Sequence, residues 1–351
     1  MTDLPRPPST TRRRFLLTLG AAGTSAAVGK ALWHFGRCGK ASAPPPPPGL
    51  RAVRRTGFAL GADVSIVALH ENPAEAAKAV DAAFAELETV ESVMSLYRAD
   101  SQVCRLNQDR ELLRPHPYLV QVLRRAQSLS AASDGAFDVT VQPLWTLYAN
   151  TADAGGLPAA ADIDRVRKHV DWRRVEVADD RIRLKGEGTA VTLNGIAQGF
   201  AADRVLAALA AHGVRHALVN TGEIGTLGRR DDGERWTVGV RDPRHGDALI
   251  RRIALDDRCV ATSGDYETVF TPDYVNHHIF DPHTGRSPQA FQSVTVLART
   301  GLEADALSTA VFVAGLDRGR QLIESSPGAD AFFVLKDGRT RATAGFHGGT
   351  A

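Results

Sequence analysis

Asp305 and Thr309 stand four residues apart in a stretch with helical periodicity, so both side chains leave one helix face. A carboxylate and a hydroxyl on that face offer oxygen to a hard cation such as Mg²⁺. The same pair also reads as an acid favouring the helix N-terminus and a threonine that packs. The densest polar run is Asn276-His277-His278-Ile279-Phe280-Asp281-Pro282-His283-Thr284-Gly285. A histidine there could take a proton from a hydroxyl. His277, His278 and His283 could instead hold a transition metal, or Pro282 and Gly285 could mark an ordinary polar turn.

Two further segments bear on phosphate and acyl chemistry. Asn220-Thr221-Gly222-Glu223-Ile224-Gly225-Thr226-Leu227-Gly228 follows a strand pattern, and glycines of this kind let backbone approach a phosphate. The dinucleotide fingerprint is absent and no helical pattern follows, so a Rossmann site is excluded. Ala261-Thr262-Ser263-Gly264-Asp265-Tyr266 reads as a polar turn after a strand. Ser263 does not sit in a Gly-x-Ser-x-Gly elbow, which argues against a hydrolase nucleophile.

These residues need elements to hold them. Thr300-Gly301-Leu302-Glu303 has the form of a capping box and predicts a helix over 302–314 carrying Asp305 and Thr309. Alternation and β-branching predict strands at 62–69, 217–220, 236–240, 251–255, 293–298 and 331–335. A hairpin of 174–178 and 181–184 is predicted around Asp179-Asp180, with 189–193 continuing its sheet. Asn72, Pro73 and Glu75 predict a helix start, and Val80, Phe84, Leu87, Val90 and Met94 then mark one apolar face. Helices are also predicted at 118–130 and 199–211, the latter closing at Gly213, and 149–161 reads as a surface loop. Hairpins with inserted helices, rather than β-α-β alternation, predict an α+β fold with mixed, largely antiparallel sheets.

The chain has 351 residues, 43% hydrophobic and 23% charged, with a net charge of +2. That suffices for one large domain or two interlocked ones with a substantial core, and it lacks the basic footprint of a nucleic-acid binder. Cys38, Cys104 and Cys259 form no Cys-x-x-Cys pair, which argues against zinc or dithiol chemistry. Cys104 and Cys259 could pair in an oxidising compartment or remain buried thiols. Thr11-Arg12-Arg13-Arg14-Phe15-Leu16-Leu17 and the Ala- and Gly-rich run after it read as a twin-arginine export signal. The apolar run is shorter than the ~20 residues of a membrane span. Residues 1–43 are therefore assigned to the signal, 44–49 to a stiff proline-rich linker and 50–351 to the folded domain. The expected location is the periplasm, and an uncleaved signal would tether the protein loosely to a membrane.

Taken together, six segments occur in an order that resembles the ApbE family, the FAD:protein FMN transferases, across about residues 57–337. They are Met94 to Ser101, Gly135 to Leu144, Leu193 to Phe200, Ala261 to Tyr266, His277 to Gly285 and Glu303 to Thr309. The resemblance implies an ApbE-like fold and Mg²⁺-dependent transfer of FMN from FAD to a Thr or Ser hydroxyl of an acceptor flavoprotein, with AMP released. By the same resemblance Leu60, Tyr97, Ala136, Phe137, Asp138, Thr192, Gln198 and Ile279 would line the FAD site. Asp305, Thr309 and the carbonyl of Gly195 would bind Mg²⁺. His278 would be the catalytic-site histidine, with Asp281 beside it as the other candidate base. The sequence departs from the family pattern at four places: Thr192 where Asp is frequent, Gln198 where Lys or Glu is frequent, Leu60 where Met is common, and Ser308 where a carboxylate is frequent. The Leu-Asn-Gly-Ile-Ala-Gln-Gly variant is similar to the NosX-type branch, associated with nitrous oxide reduction, which would make the acceptor a membrane-bound flavoprotein. Two other functions share these residues: an Mg²⁺-dependent FAD pyrophosphatase, and a non-catalytic flavin-binding or assembly protein.

Overall fold

The computed structural model describes residues 49–255 and 257–350. The expected export signal, and all of the linker but Gly49, lie outside the described residues. Among the described residues no helix is long and apolar enough to cross a membrane.

The chain opens with a hairpin of β1 (Arg51–Ala59) and β2 (Ala62–His70), then α1 (Pro73–Met94) and α2 (Gln102–Asp109). Asn72 caps α1 by accepting from the Ala74 N–H, and Pro73 follows at a position whose own N–H would be orphaned. Next come β3 (Glu111–Leu113), α3 (Pro117–Ala132), α4 (Gln142–Asp153), α5 (Ala160–Arg167) and the hairpin β4 (Val175–Val177) and β5 (Arg181–Leu184). The second half holds α6 (Ala197–Ala211), β6 (His216–Asn220), β7 (Ile224–Leu227), β8 (Thr237–Arg241), β9 (Leu249–Ala254), β10 (Cys259–Gly264) and β11 (Phe291–Ala298). It ends with α7 (Gly301–Glu324), β12 (Asp330–Leu335), β13 (Thr340–Ala342) and β14 (Gly349–Thr350).

The main sheet has eight strands in the order β1-β2-β6-β7-β10-β11-β12-β13, antiparallel at every neighbouring pair. This bears out the α+β expectation. Helices α1, α6 and α7 bury one face of the sheet in the largest core cluster. A small sheet, β14-β9-β8, covers part of the other through Trp236, Val238 and Ile253. β11 lies between these layers, and all eight of its residues are buried. Its polar residues Gln292, Ser293 and Thr295 are buried along with its apolar ones, as a strand covered on both faces requires. Phe312 of α7 packs on Phe291 of β11, ring centroids 5.9 Å apart, and so fixes the helix against the sheet. Burying a side chain of this size stabilises by about 1.5–3 kcal/mol.

Four local expectations are corrected. Residues 189–193 are not a strand; β3 fills the third place in that small sheet, pairing with β5. The Asn107 side chain occupies both backbone groups of Val191, donating to its carbonyl at 2.8 Å and accepting from its N–H at 2.7 Å. The 149–161 loop shrinks to 154–159, because Leu144, Tyr148 and Ala149 bury the face of α4 and carry it to Asp153. The predicted turn after residue 260 is still strand as far as Gly264, in register with Ser293. The helix expected to end at Ala314 continues to Glu324 through a break at Gly315 (φ 79°, ψ 178°), a backbone conformation suited to glycine. Cys104 and Cys259 are both free thiols rather than a disulfide.

Candidate active site

The site is assembled where α6 crosses α7. The two helices meet at Gly199 and Gly301, whose backbones touch so closely that a Cβ on either would collide with the other's carbonyl. Asp203 of α6 then caps α7 with both carboxylate oxygens, accepting from the Gly301 N–H at 2.6 Å and the Leu302 N–H at 3.0 Å. Thr300 accepts from the Glu303 N–H, as a capping box requires. These contacts set the rotation of α7, and with it the face carrying Asp305 and Thr309.

Asp305 is 4% exposed, and its Oδ2 accepts from the Gly199 N–H at 2.9 Å. Burial pushes its pKa up to about 7, against the Gly199 hydrogen bond and with help from the negative Asp203. Thr309 lies directly against Gly195: a Cβ there would be 2.9 Å from Thr309 Oγ1. The Ser263 hydroxyl is 3.2 Å from Thr309 Oγ1 and 2.8 Å from Ser308 Oγ. The three expected cation-binding residues are thus brought together. Glu223 joins them from the β6–β7 turn; burial and then the Asp305 charge hold its pKa well above the ordinary range. Among the described residues no three His, Cys, Asp or Glu side chains converge as in a transition-metal site. What gathers there is oxygen chemistry, the Asp305 carboxylate and the Thr309 hydroxyl beside the Gly195 backbone, the donor types a Mg²⁺ ion takes. The residues fit such a cation, whose charge would offset that of buried Asp305 and partly buried Glu223.

The histidine run packs beside this cluster. His277 is fully buried, its ring edge-on to Phe312, three residues beyond Thr309. Its Nε2 donates to the Pro288 carbonyl at 3.1 Å and its Nδ1 accepts from the Ile279 N–H at 3.4 Å. Both ring nitrogens are therefore used structurally, which removes the three-histidine metal reading. Burial lowers the pKa of His277 to about 4, so the ring is neutral in the fold. An ordinary histidine takes up its proton near pH 6.5 in the unfolded chain, so this contribution to stability is complete above that pH and is lost as pH falls toward 4. The loss is roughly 3 kcal/mol. In His277→Phe the increment is missing, and the stability gap from wild type, measured by urea unfolding, should narrow steadily between pH 6.5 and 4.

His278 has the opposite tautomer. Its Nδ1 faces the Thr268 carbonyl at 3.2 Å, and a carbonyl only accepts, so the proton sits on Nδ1 and the basic lone pair on Nε2. Three anchors hold its loop. Phe280 and Phe270 pack on Tyr148 of α4, with centroids 4.8 and 5.4 Å away. Ser287 bridges the backbone of His277. Lys336 ties the Tyr274 carbonyl (2.7 Å) to buried Asp265 (2.7 Å), which Arg244 also grips through two bonds of 2.8 and 2.6 Å.

The other expected residues fall into distinct places. Ala136 and Asp281 line one cavity of about 310 Å³ with Ser133, Asp134, His283, Val313, Ala314 and Arg318. Val313 is one turn beyond Thr309, so the cavity opens one turn along α7 from the oxygen cluster. Asp281 accepts from the His283 N–H (2.9 Å) and the Thr284 hydroxyl (3.0 Å). Leu60 and Gln198 meet through a bond of 3.4 Å, and Gln198 adjoins Gly199 at the helix crossing. Leu60 holds a left-handed φ of 53° in the β1–β2 turn, where its N–H donates to Glu91 Oε1. Tyr97, just past α1, is half exposed. Phe137 and Ile279 belong to the main core. Asp138 is structurally committed: it accepts from Thr140 N–H and O–H and from Trp172 N–H. Thr192 donates its N–H to the Val139 carbonyl, next to Asp138. Sequence reading missed Glu223, Glu91 and the Asp265 hub, because each acid joins its partners only through non-local pairing.

Known proteins share this sequence and fold. The chain is 32% identical over 324 residues to the FAD:protein FMN transferase of Treponema pallidum, covering 84% of this chain and 88% of that one. It is 32% identical over 256 residues to the FAD:protein FMN transferase of Vibrio cholerae, covering 68% and 74%. Among solved structures, the ApbE protein of Thermotoga maritima superposes with a TM-score of 0.75 at 32% identity, covering 84% of this chain and 98% of that one. The apo flavinyl transferase ApbE of Pseudomonas stutzeri gives 0.72 at 31% identity, covering 84% and 95%. The ApbE family model matches residues 60–333, and with that span, these identities and this fold the chain belongs to the ApbE family.

Proposed function

We propose that the protein transfers FMN from FAD to a Thr or Ser hydroxyl of an acceptor flavoprotein, with a divalent cation, Mg²⁺, at Asp305, Thr309 and the Gly195 carbonyl. The observation that carries this reading is the cluster of hard oxygen donors on α7, packed beside the histidine run and one helical turn from a cavity lined by Val313. The family supplies the coarser statement: the chain is a transferase, and its relatives act on FAD as FAD:protein FMN transferases.

The acceptor oxygen forms a bond to the phosphorus on the FMN side of the diphosphate, and the bond from that phosphorus to the bridging oxygen breaks. AMP leaves with the bridging oxygen, and the hydroxyl proton passes to a base. Mg²⁺, when bound, would withdraw charge from the phosphoryl oxygens and the departing AMP. The chain's own residues do the rest. His278 receives the proton at Nε2, the nitrogen its Thr268 contact leaves basic. The anchored loop fixes where that atom sits, and the crossing of α6 and α7 fixes the oxygen donors. Asp281, bound to His283 and Thr284 at the cavity wall, orders the turn beyond the histidine.

Location and acceptor are part of the same proposal. The twin-arginine motif supports export to the periplasm, and the Leu193 to Gly199 variant supports an acceptor of the nitrous oxide reduction type, a membrane-bound flavoprotein. The test is AMP release from FAD with Mg²⁺ and an acceptor flavin domain. Wild type should release one AMP per flavin bound covalently. Asp305→Asn, which removes a ligand charge and keeps the shape, should lose about 10²-fold or more in rate. AMP release accompanied only by free FMN would make the protein a pyrophosphatase instead.

A further inference from the structure

We infer that Glu223 is a further ligand of the divalent cation placed at Asp305 and Thr309; this rests on the function proposed above. Two segments that flank those residues hold the Glu223 turn. On one side the Glu223 carbonyl accepts from the Thr221 N–H at 2.9 Å, and the Thr221 hydroxyl donates to the Gln198 carbonyl at 2.9 Å. That clamps the turn to the start of α6, between Gly195 and Gly199. On the other side Glu223 Oε2 accepts from the Thr262 N–H at 3.3 Å, and the next residue, Ser263, touches Thr309. The carboxylate is thereby fixed between the backbone that carries Gly195 and the strand whose serine meets Thr309.

The usual reasons for a carboxylate in such a place are absent among the described residues. Neither Glu223 nor Asp305 belongs to an ion pair there. Asp305 Oδ1 and Glu223 Oε1 accept no hydrogen bond there, while each residue's other oxygen takes one backbone N–H. Asp305 is buried and Glu223 partly so, and buried acids are ordinarily paired or bound to metal. Two carboxylates, each with one uncommitted oxygen, a hydroxyl and a carbonyl form the oxygen-only set of a hard dication, and their two charges balance it.

The test is titration of Mn²⁺ into the protein, alone and with FAD, following the electron paramagnetic resonance signal of the free ion. Wild type should bind Mn²⁺ in at least one of these states. Glu223→Gln, with the same shape and no charge, should weaken binding about tenfold or more, while its melting temperature without metal equals or exceeds that of wild type. Glu223→Asp gives an independent reading with the charge kept and the reach shortened, and it should bind between the two. Equal Mn²⁺ affinity in wild type and Glu223→Gln, with binding lost in Asp305→Asn, would overturn the role of Glu223 and leave the cation at Asp305 standing. A wild-type protein that binds no Mn²⁺ in either state would overturn both.

Discussion

His278→Ala should slow FMN transfer by about 10²- to 10⁴-fold, the range removed with a general base, while FAD affinity stays near that of wild type. A hydroxyl is a weak nucleophile at neutral pH, so the step depends on where its proton goes. The Thr268 carbonyl fixes the proton of His278 on Nδ1 and leaves Nε2 as the acceptor. The neighbouring His277 cannot substitute, since it is fully buried and both its nitrogens are engaged with backbone. Single-turnover transfer and a separate FAD-binding titration distinguish the effects. Equal loss in both would mean that His278 binds the substrate rather than taking the proton.

Gly199→Ala should be the most damaging small substitution in the fold. A Cβ at residue 199 would overlap the Gly301 carbonyl and come within 2.6 Å of the Asp305 Cβ. Neither obstacle is the far end of a flexible side chain, so α6 and α7 must move apart. Overpacking of this kind costs about 3 kcal/mol. The displacement also breaks the Gly199 N–H bond to Asp305. Stability and cation binding should therefore fall together, whereas Gly156→Ala, where a Cβ meets nothing nearer than 4.0 Å, should change neither. A Gly199→Ala protein as stable as wild type would show that the helix crossing tolerates separation.

What could be read from the sequence was what short-range chemistry determines. The caps at Asn72 and Thr300 and the apolar stripe of α1 each depend on residues within a few positions of one another. The pairing of Asp305 with Thr309 follows from helical spacing alone. The errors have one physical origin. At 189–193 the strand-like composition is real, but a distant asparagine takes the backbone bonds a strand partner would have made. At 149–153 the polar composition suggests a loop, and burial of Tyr148 and Ala149 overrides it. Glu223 follows a glycine in a turn and has no local pattern. Only the pairing of β7 with β10, Ile224 opposite Val260, brings it beside Ser263 and the oxygen cluster of α7. Among the residues expected at the flavin, Asp138 illustrates the same limit. Its place at the flavin is implied by the family resemblance, and its three bonds to Thr140 and Trp172 depend on the fold that brings Trp172 to it.

In the proposed reaction the oxygen cluster of α7 and His278 together move FMN onto a protein hydroxyl. The most direct measurement is the intact mass of an acceptor flavin domain after incubation with this protein, FAD and Mg²⁺, with peptide mapping of the modified residue. The account predicts a mass gain equal to one FMN esterified to a Thr or Ser, absent when His278→Ala or Asp305→Asn replaces the wild-type protein. An acceptor of unchanged mass, in a reaction where FAD is consumed or stays bound intact, would contradict it.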